Sequence, residues 1–163
     1  MSLIGIIAKK KDIKELKKKL GGKYELIEIT NESIKNLKNI KFEEIIYNKD
    51  INLTKEEYKF MREIINKTKY IIVNSDIEIK FLENINIEKP IKIITFGFNA
   101  KSTLSISSVK EDYIIISVQR DIEKSNKQKI ENQERKIEIS PSDKISIYNQ
   151  IINFIIKELN EEE

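Results

Sequence analysis

A chain of 163 residues with no cysteine and no histidine must do any chemistry with carboxylates, lysines, hydroxyls and amides. That excludes disulfides, zinc–thiolate sites, thiol nucleophiles and imidazole bases. A metal would need oxygen ligands alone. Acid–base work by carboxylates stays open. The obvious pairs, Glu43 with Glu44 and Glu56 with Glu57, are neighbours in sequence, and they read as surface groups. Ser102, Ser105, Ser107 and Ser108 have no base to activate them, so none reads as a nucleophile.

Anion binding would need either a glycine-rich turn or converging cations. The first strand–helix junction, Gly5-Ile6-Ile7-Ala8-Lys9-Lys10-Lys11-Asp12-Ile13, supplies lysines but no glycine turn. Backbone N–H groups therefore have no cradle in which to approach a phosphate. Gly97 follows a later strand, with Lys101 and hydroxyls nearby. It is either a weak anion signal or the turn by which the chain leaves a parallel sheet. Asn48, Asn74 and Asp76 end apolar strands; such residues serve as turn and cap groups or as ligand contacts.

The elements that would position these groups alternate between strand and helix. Residues 3–8 form an apolar run fit for a strand buried on both faces. Asp12 is placed to cap the helix behind it, whose Ile13, Leu16 and Leu20 share one face, and Gly21-Gly22 ends it. Strands follow at 24–29, 42–47, 70–73 and 91–96. Asn31 is expected to cap a short helix carrying Ile34 and Leu37. Thr54 and Glu57 have capping-box spacing ahead of a helix showing Tyr58, Met61, Ile64 and Ile65. A short helix at about 78–84 leads to Pro90.

The pattern then changes. Residues 103–109 and 113–119 alternate as an antiparallel hairpin, and 133–139 alternates again. Residues 121–132 are polar and read as a mobile loop. Pro141-Ser142-Asp143 introduces a last helix with a broad apolar stripe that includes Ile151, Ile152, Phe154, Ile155, Ile156 and Leu159. The expected fold is α/β: a mostly parallel, doubly wound, Rossmann-like sheet, with an antiparallel β-extension at about 103–139 and a C-terminal helix. Residues 1–163 read as a single domain.

The order of these pieces resembles the central, ATP-binding domain of the Mur ligases. Ile4-Gly5-Ile6-Ile7 and its helix stand where that family has a strand, a GTNGKTT loop and a helix. Ile45-Ile46-Tyr47-Asn48 resembles its strand ending in Thr-Asn, and the helix from Glu57-Tyr58 to Asn66 resembles the one that follows. Tyr70-Ile71-Ile72-Val73-Asn74-Ser75-Asp76 resembles VVNADD, and Ile93-Ile94-Thr95-Phe96-Gly97 resembles VITFG. Ile145-Ser146-Ile147-Tyr148-Asn149 resembles HNVYN. The departures fall on the chemistry. The loop's glycines correspond to Ala8 and Lys11, its lysine to Asp12 and its threonine to Ile13. A carboxylate thus stands where a cation should meet phosphate. Ile77 replaces the second Asp of VVNADD, and only Asn149 of the HNVYN polar residues remains. The resemblance implies the fold with ligase activity lost and a degenerate P-loop.

Two functional classes follow. The first is a non-catalytic, Mur-ligase-like binding or interaction module with no cofactor and no metal. The alternative is a small-molecule or nucleotide-binding enzyme using the strand-end crevice. The candidate contacts are Asn48, Asn74, Asp76, Lys101 and Asn149. The net charge is only +3, and the basic excess lies in eight lysines between Lys9 and Lys23, where arginine and interleaved aromatics are scarce; nucleic acid is not an expected partner. No apolar run reaches the ~18 residues of a membrane helix. The start does not read as a signal peptide, so a cytoplasmic location is expected. The last helix's stripe is broader than one sheet face would cover, so its flank is expected to be covered either within the chain, by the antiparallel extension, or by a second copy in a homodimer.

Overall fold

The computed structural model describes residues 2–83, 91–140 and 145–161, with the backbone alone at Phe81. The expected passages through Pro90 and through Pro141-Ser142-Asp143 lie outside these residues. The chain divides into two compact units, Met1–Ile94 and Thr95–Glu163, and passes from one to the other within a strand.

The first unit is an α/β, Rossmann-like arrangement. Its strands are β1 (Ser2–Ile7), β2 (Tyr24–Glu28), β3 (Glu44–Tyr47) and β4 (Tyr70–Asn74). They pair in parallel in the order β4-β3-β1-β2. β3 and β4 are buried along their whole length, as strands covered on both faces must be. Helix α1 (Lys10–Leu20) joins β1 to β2, α2 (Ile34–Leu37) precedes β3, and α3 (Lys55–Asn66) joins β3 to β4. The walk along the sheet reverses after β2. Right-handed crossovers then put α1 on one face and α2 with α3 on the other. The core follows this division: Ile34 of α2 and Met61, Ile64 and Ile65 of α3 cluster with Ile7, Ile45, Tyr47, Ile71 and Val73. Tyr47 is fully buried, donates a hydrogen bond to Met61 Sδ at 3.2 Å, and has its phenol pKa pushed well up by burial. A last short helix, α4 (Lys80–Glu83), lies near the unit's end.

Several local expectations hold and others need correction. Gly21 closes α1 with φ 71°, a conformation costly for other residues, and its N–H reaches Lys17 O. Thr54 and Glu57 form the full capping box. Asp12, however, does not cap α1. The helix starts earlier, with extended Lys9 as N-cap and no side-chain cap bond, so Asp12 sits inside the first turn. Nor does Asn31 cap α2. Its Nδ2 donates instead to Asn52 O at 2.6 Å and to the Glu57 carboxylate, a tertiary use that local spacing cannot show. Glu44 is not a surface carboxylate but is buried within β3, whereas Glu43 pairs with Lys69 at 2.7 Å.

The second unit begins within β5 (Lys92–Gly97) and continues with β6 (Leu104–Val109), β7 (Tyr113–Val118) and β10 (Glu134–Glu138); β8 (Ile122–Glu123) and β9 (Lys129–Ile130) form a separate small pair. The order is β10-β7-β6-β5, antiparallel except for β5 with β6. A parallel pair normally needs a long crossover. Here only Phe96 and Gly97 pair with Leu104 and Ser105, so the chain merely jogs sideways and continues. Gly97, at φ 153°, makes the step in a region nearly closed to other residues. Thr95 and Thr103 lock it by exchanging backbone-to-hydroxyl bonds of 2.9 and 3.2 Å.

Residues 121–132 are not an unstructured loop: β8 and β9 bury Ile122 and Ile130, and Asn132 N bonds Asp121 Oδ1. Helix α5 (Ile147–Asn160) is capped by Ser146 Oγ, which accepts from Asn149 N. Its C-terminus is closed by Lys124, only 6% exposed, whose Nζ donates to Glu161 O at 2.7 Å. Arg135 of β10 bonds Glu158 at 2.9 Å and lies over the Phe154 ring. Ile151, Ile152, Ile155 and Ile156 are all buried and Phe154 is half-buried, so the broad stripe is largely covered within the chain. Among the described residues no helix is long and apolar enough to cross a membrane.

Candidate functional site

In parallel sheets of this kind ligands lie beyond the carboxyl ends of the strands, where the order of connection reverses. In the first unit that point lies between β1 and β3. The turn after β1 consists of Ala8 and Lys9 alone, since α1 begins at Lys10. The segment after β3 carries Asn48, Lys49 and Asp50. Beside them is a cleft of about 350 Å³ whose polar lining includes Lys10, Thr30, Asn31, Lys49, Asp50 and Asn52. Glu28 and Glu32 also border it, so the lining mixes both signs of charge.

The cleft's wall is pre-organised. Asn31 is held by Asn52 and Glu57, and Thr30 and Ser33 hold each other through reciprocal backbone-to-hydroxyl bonds. Glu57 accepts from the Thr54 backbone N–H and from Asn31, and these bonds hold its carboxyl below its ordinary value. One Asp50 carboxylate oxygen is enclosed and takes no hydrogen bond among the described residues.

Of the residues expected as contacts, the fold joins three. Asn74 Nδ2 donates to Asn48 Oδ1 at 2.9 Å, and Asn74 Oδ1 accepts from Asp76 N at 2.9 Å. Asn74 is fully buried and Asn48 nearly so; here they tie β3 to β4 and shape the turn that follows. Lys101 and Asn149 belong to the second unit. Lys101 is exposed in the step between β5 and β6, where its N–H reaches Asn99 Oδ1. Asn149 is wholly buried in the first turn of α5.

No family model matches this chain, and no curated protein matches it. The geometry therefore stands on its own.

Its means are limited. Lysines, carboxylates and amides can hold a polar ligand by paired charges and hydrogen bonds. No imidazole or thiol is available to move a proton near neutral pH or to attack a substrate. Among the described residues no group of three or more carboxylates converges as a metal site. Sequence reading singled out Asn48 at the end of β3 and Asn74 and Asp76 at the end of β4, whereas the cleft is lined from Lys10, Glu28–Glu32 and Lys49–Asn52. Lys10, Lys49 and Asp50 become a set only once the strand order is known, and that order has no local signature.

Proposed function

We propose that this chain is a non-catalytic, Mur-ligase-like domain working as a binding or interaction module in the cytoplasm. The observation that carries the reading is the β1–α1 junction. Ala8 and Lys9 alone separate strand from helix, which leaves no length for a loop to wrap a phosphate chain. The carboxylate of Asp12 occupies the first turn of α1, the positive end that a phosphate would otherwise use. The parallel strand order, the antiparallel extension and the closing helix are the architecture such a domain would need. A homodimer through α5 would have to use Phe154 and its flank, because the isoleucines around it are already buried.

Calorimetry with ATP and Mg²⁺ tests the reading. No binding is expected, and Asp12→Lys alone should not create it, because the two-residue junction is unchanged. Magnesium-dependent ATP binding in the low micromolar range would overturn it. A second reading, a small polar ligand in the switch-point cleft, is favoured by the enclosed Asp50 oxygen, which a ligand's N–H could satisfy.

A further inference from the structure

Helix α1 gathers like charges along one face, although Asp12 in its first turn and Lys17, Lys18 and Lys19 in its last complement the macrodipole. At about 100° per residue, Lys17, Lys10, Lys14, Lys18 and Lys11 fall in one sector of roughly 120°. Asp12 lies about 100° beyond the Lys11 edge of that sector, and Glu15 borders the same edge, about 40° away. Ile13, Leu16 and Leu20 form the buried stripe. Lys9, Lys10, Lys11, Lys14, Lys17 and Lys18 are all exposed, and among the described residues none has an ion pair.

Lys9, Lys10 and Lys11 stand at the helix N-terminus, where the macrodipole disfavours cations. Lys10 with Lys14, and Lys14 with Lys18, are like charges four apart and repel each other. A groove of about 270 Å³ runs beside this sector, lined by Lys10, Ile13, Lys14, Lys17 and Glu28.

We propose that this face of α1 is the docking surface of the module, and that its partner is an acidic polypeptide segment. The inference rests on the binding-module reading and names its partner. Carboxylates spaced along an extended chain would meet the lysines, while the lysine stems and the edge of Ile13 floor the groove. Glu28 at its margin can accept a partner's N–H. Binding would relieve the repulsion that the free helix carries.

Other polyanions fit less well. The sector has neither an arginine fork for phosphate nor an aromatic ring for base stacking. A membrane surface would gain no apolar insertion, since every apolar side chain of α1 is already buried.

The test uses the whole chain and a short poly-L-glutamate at low ionic strength, with single-stranded DNA and phosphatidylserine vesicles as comparators. Poly-L-glutamate should bind, and K10Q/K14Q/K17Q should weaken it roughly tenfold or more, as expected for losing three exposed ion pairs. That variant should fold at least as stably as the parent, because like-charge repulsion is removed. The charge-matched control K35Q/K59Q/K110Q should change binding by less than about twofold. Equal losses in both variants would reduce the effect to net charge and overturn the proposal. So would no binding of poly-L-glutamate, or DNA or vesicles bound at least as tightly through the same lysines. A parallel titration with ATP and Mg²⁺ separates the two proposals: nucleotide binding would end the non-catalytic reading whatever the lysine face does.

Discussion

Gly5 lies in the middle of β1, between Ile27 and Ile45, and the packing there leaves no room for a side chain. A methyl group added at Gly5 would sit 2.8 Å from Ile29 Cδ1 and 3.5 Å from both Ile45 Cγ1 and Phe42 Cδ1. The Ile29 methyl would have to retreat by about 0.7 Å to reach an ordinary ~3.5 Å carbon contact. Phe42 and Ile45 are fully buried, and the Ile29 methyl, the end of a flexible side chain that borders the cleft, is the atom that must yield. Overpacking of this kind costs about 1–3 kcal/mol. Replacing glycine returns about 0.5–1 kcal/mol by restricting the unfolded chain. Gly5→Ala should therefore destabilise the protein by about 1 kcal/mol, within a span of about 0–2.5 kcal/mol, measured by urea denaturation followed by circular dichroism.

The double mutant identifies the cause. Ile29→Val removes the offending Cδ1 and alone should cost about 0.5–1.5 kcal/mol. Combined with Gly5→Ala, it should cost about 1 kcal/mol less than the sum of the two. A clearly stabilising Gly5→Ala, or strictly additive effects, would refute the reasoning. The result bears on function, since it assigns the only glycine near the β1–α1 junction to close packing and not to anion binding.

Two further predictions concern the supports around the sites. Glu57 has its carboxyl pKa lowered from 4.5, first by the Thr54 backbone N–H and then by Asn31. A depressed folded-state value means that the stabilisation is present above pH 4.5 and fades as pH falls through the folded value. Glu57→Gln should therefore flatten the acid limb of stability below that pH, and an unchanged limb would count against the assignment. Lys124→Met keeps the buried stem but removes the ammonium that closes the end of α5; it should cost about 1–3 kcal/mol, and an unchanged denaturation midpoint would contradict that role.

Much of the fold was legible because it is periodic. The apolar stripe of α1, the Thr54–Glu57 box and the β6–β7 hairpin follow from residue spacing alone. What failed was what depends on distant partners. Asn31 had the chemistry of a cap, but Asn52 and Glu57 claim its amide. Glu44 read as a surface group because it sits beside another carboxylate, Glu43, in the sequence, yet β3 is covered on both faces. The strands β8 and β9 are two residues long, too short to show a period, and only the burial of Ile122 and Ile130 betrays them. The candidate site was half legible: the strand ends could be named, but not which of them lie side by side.

The last strand has a consequence for how copies of this chain behave when crowded. β10 ends its unit's strand order, and four of its five residues, Glu134, Arg135, Lys136 and Glu138, are charged. An open rim of backbone is otherwise a template on which another molecule's strand can grow into a fibril. Any strand added here would have to pair its own side chains against alternating acid and base, while Arg135 is already engaged by Glu158 and Phe154. The rim is thereby kept from seeding aggregation in a chain as rich in isoleucine as this one.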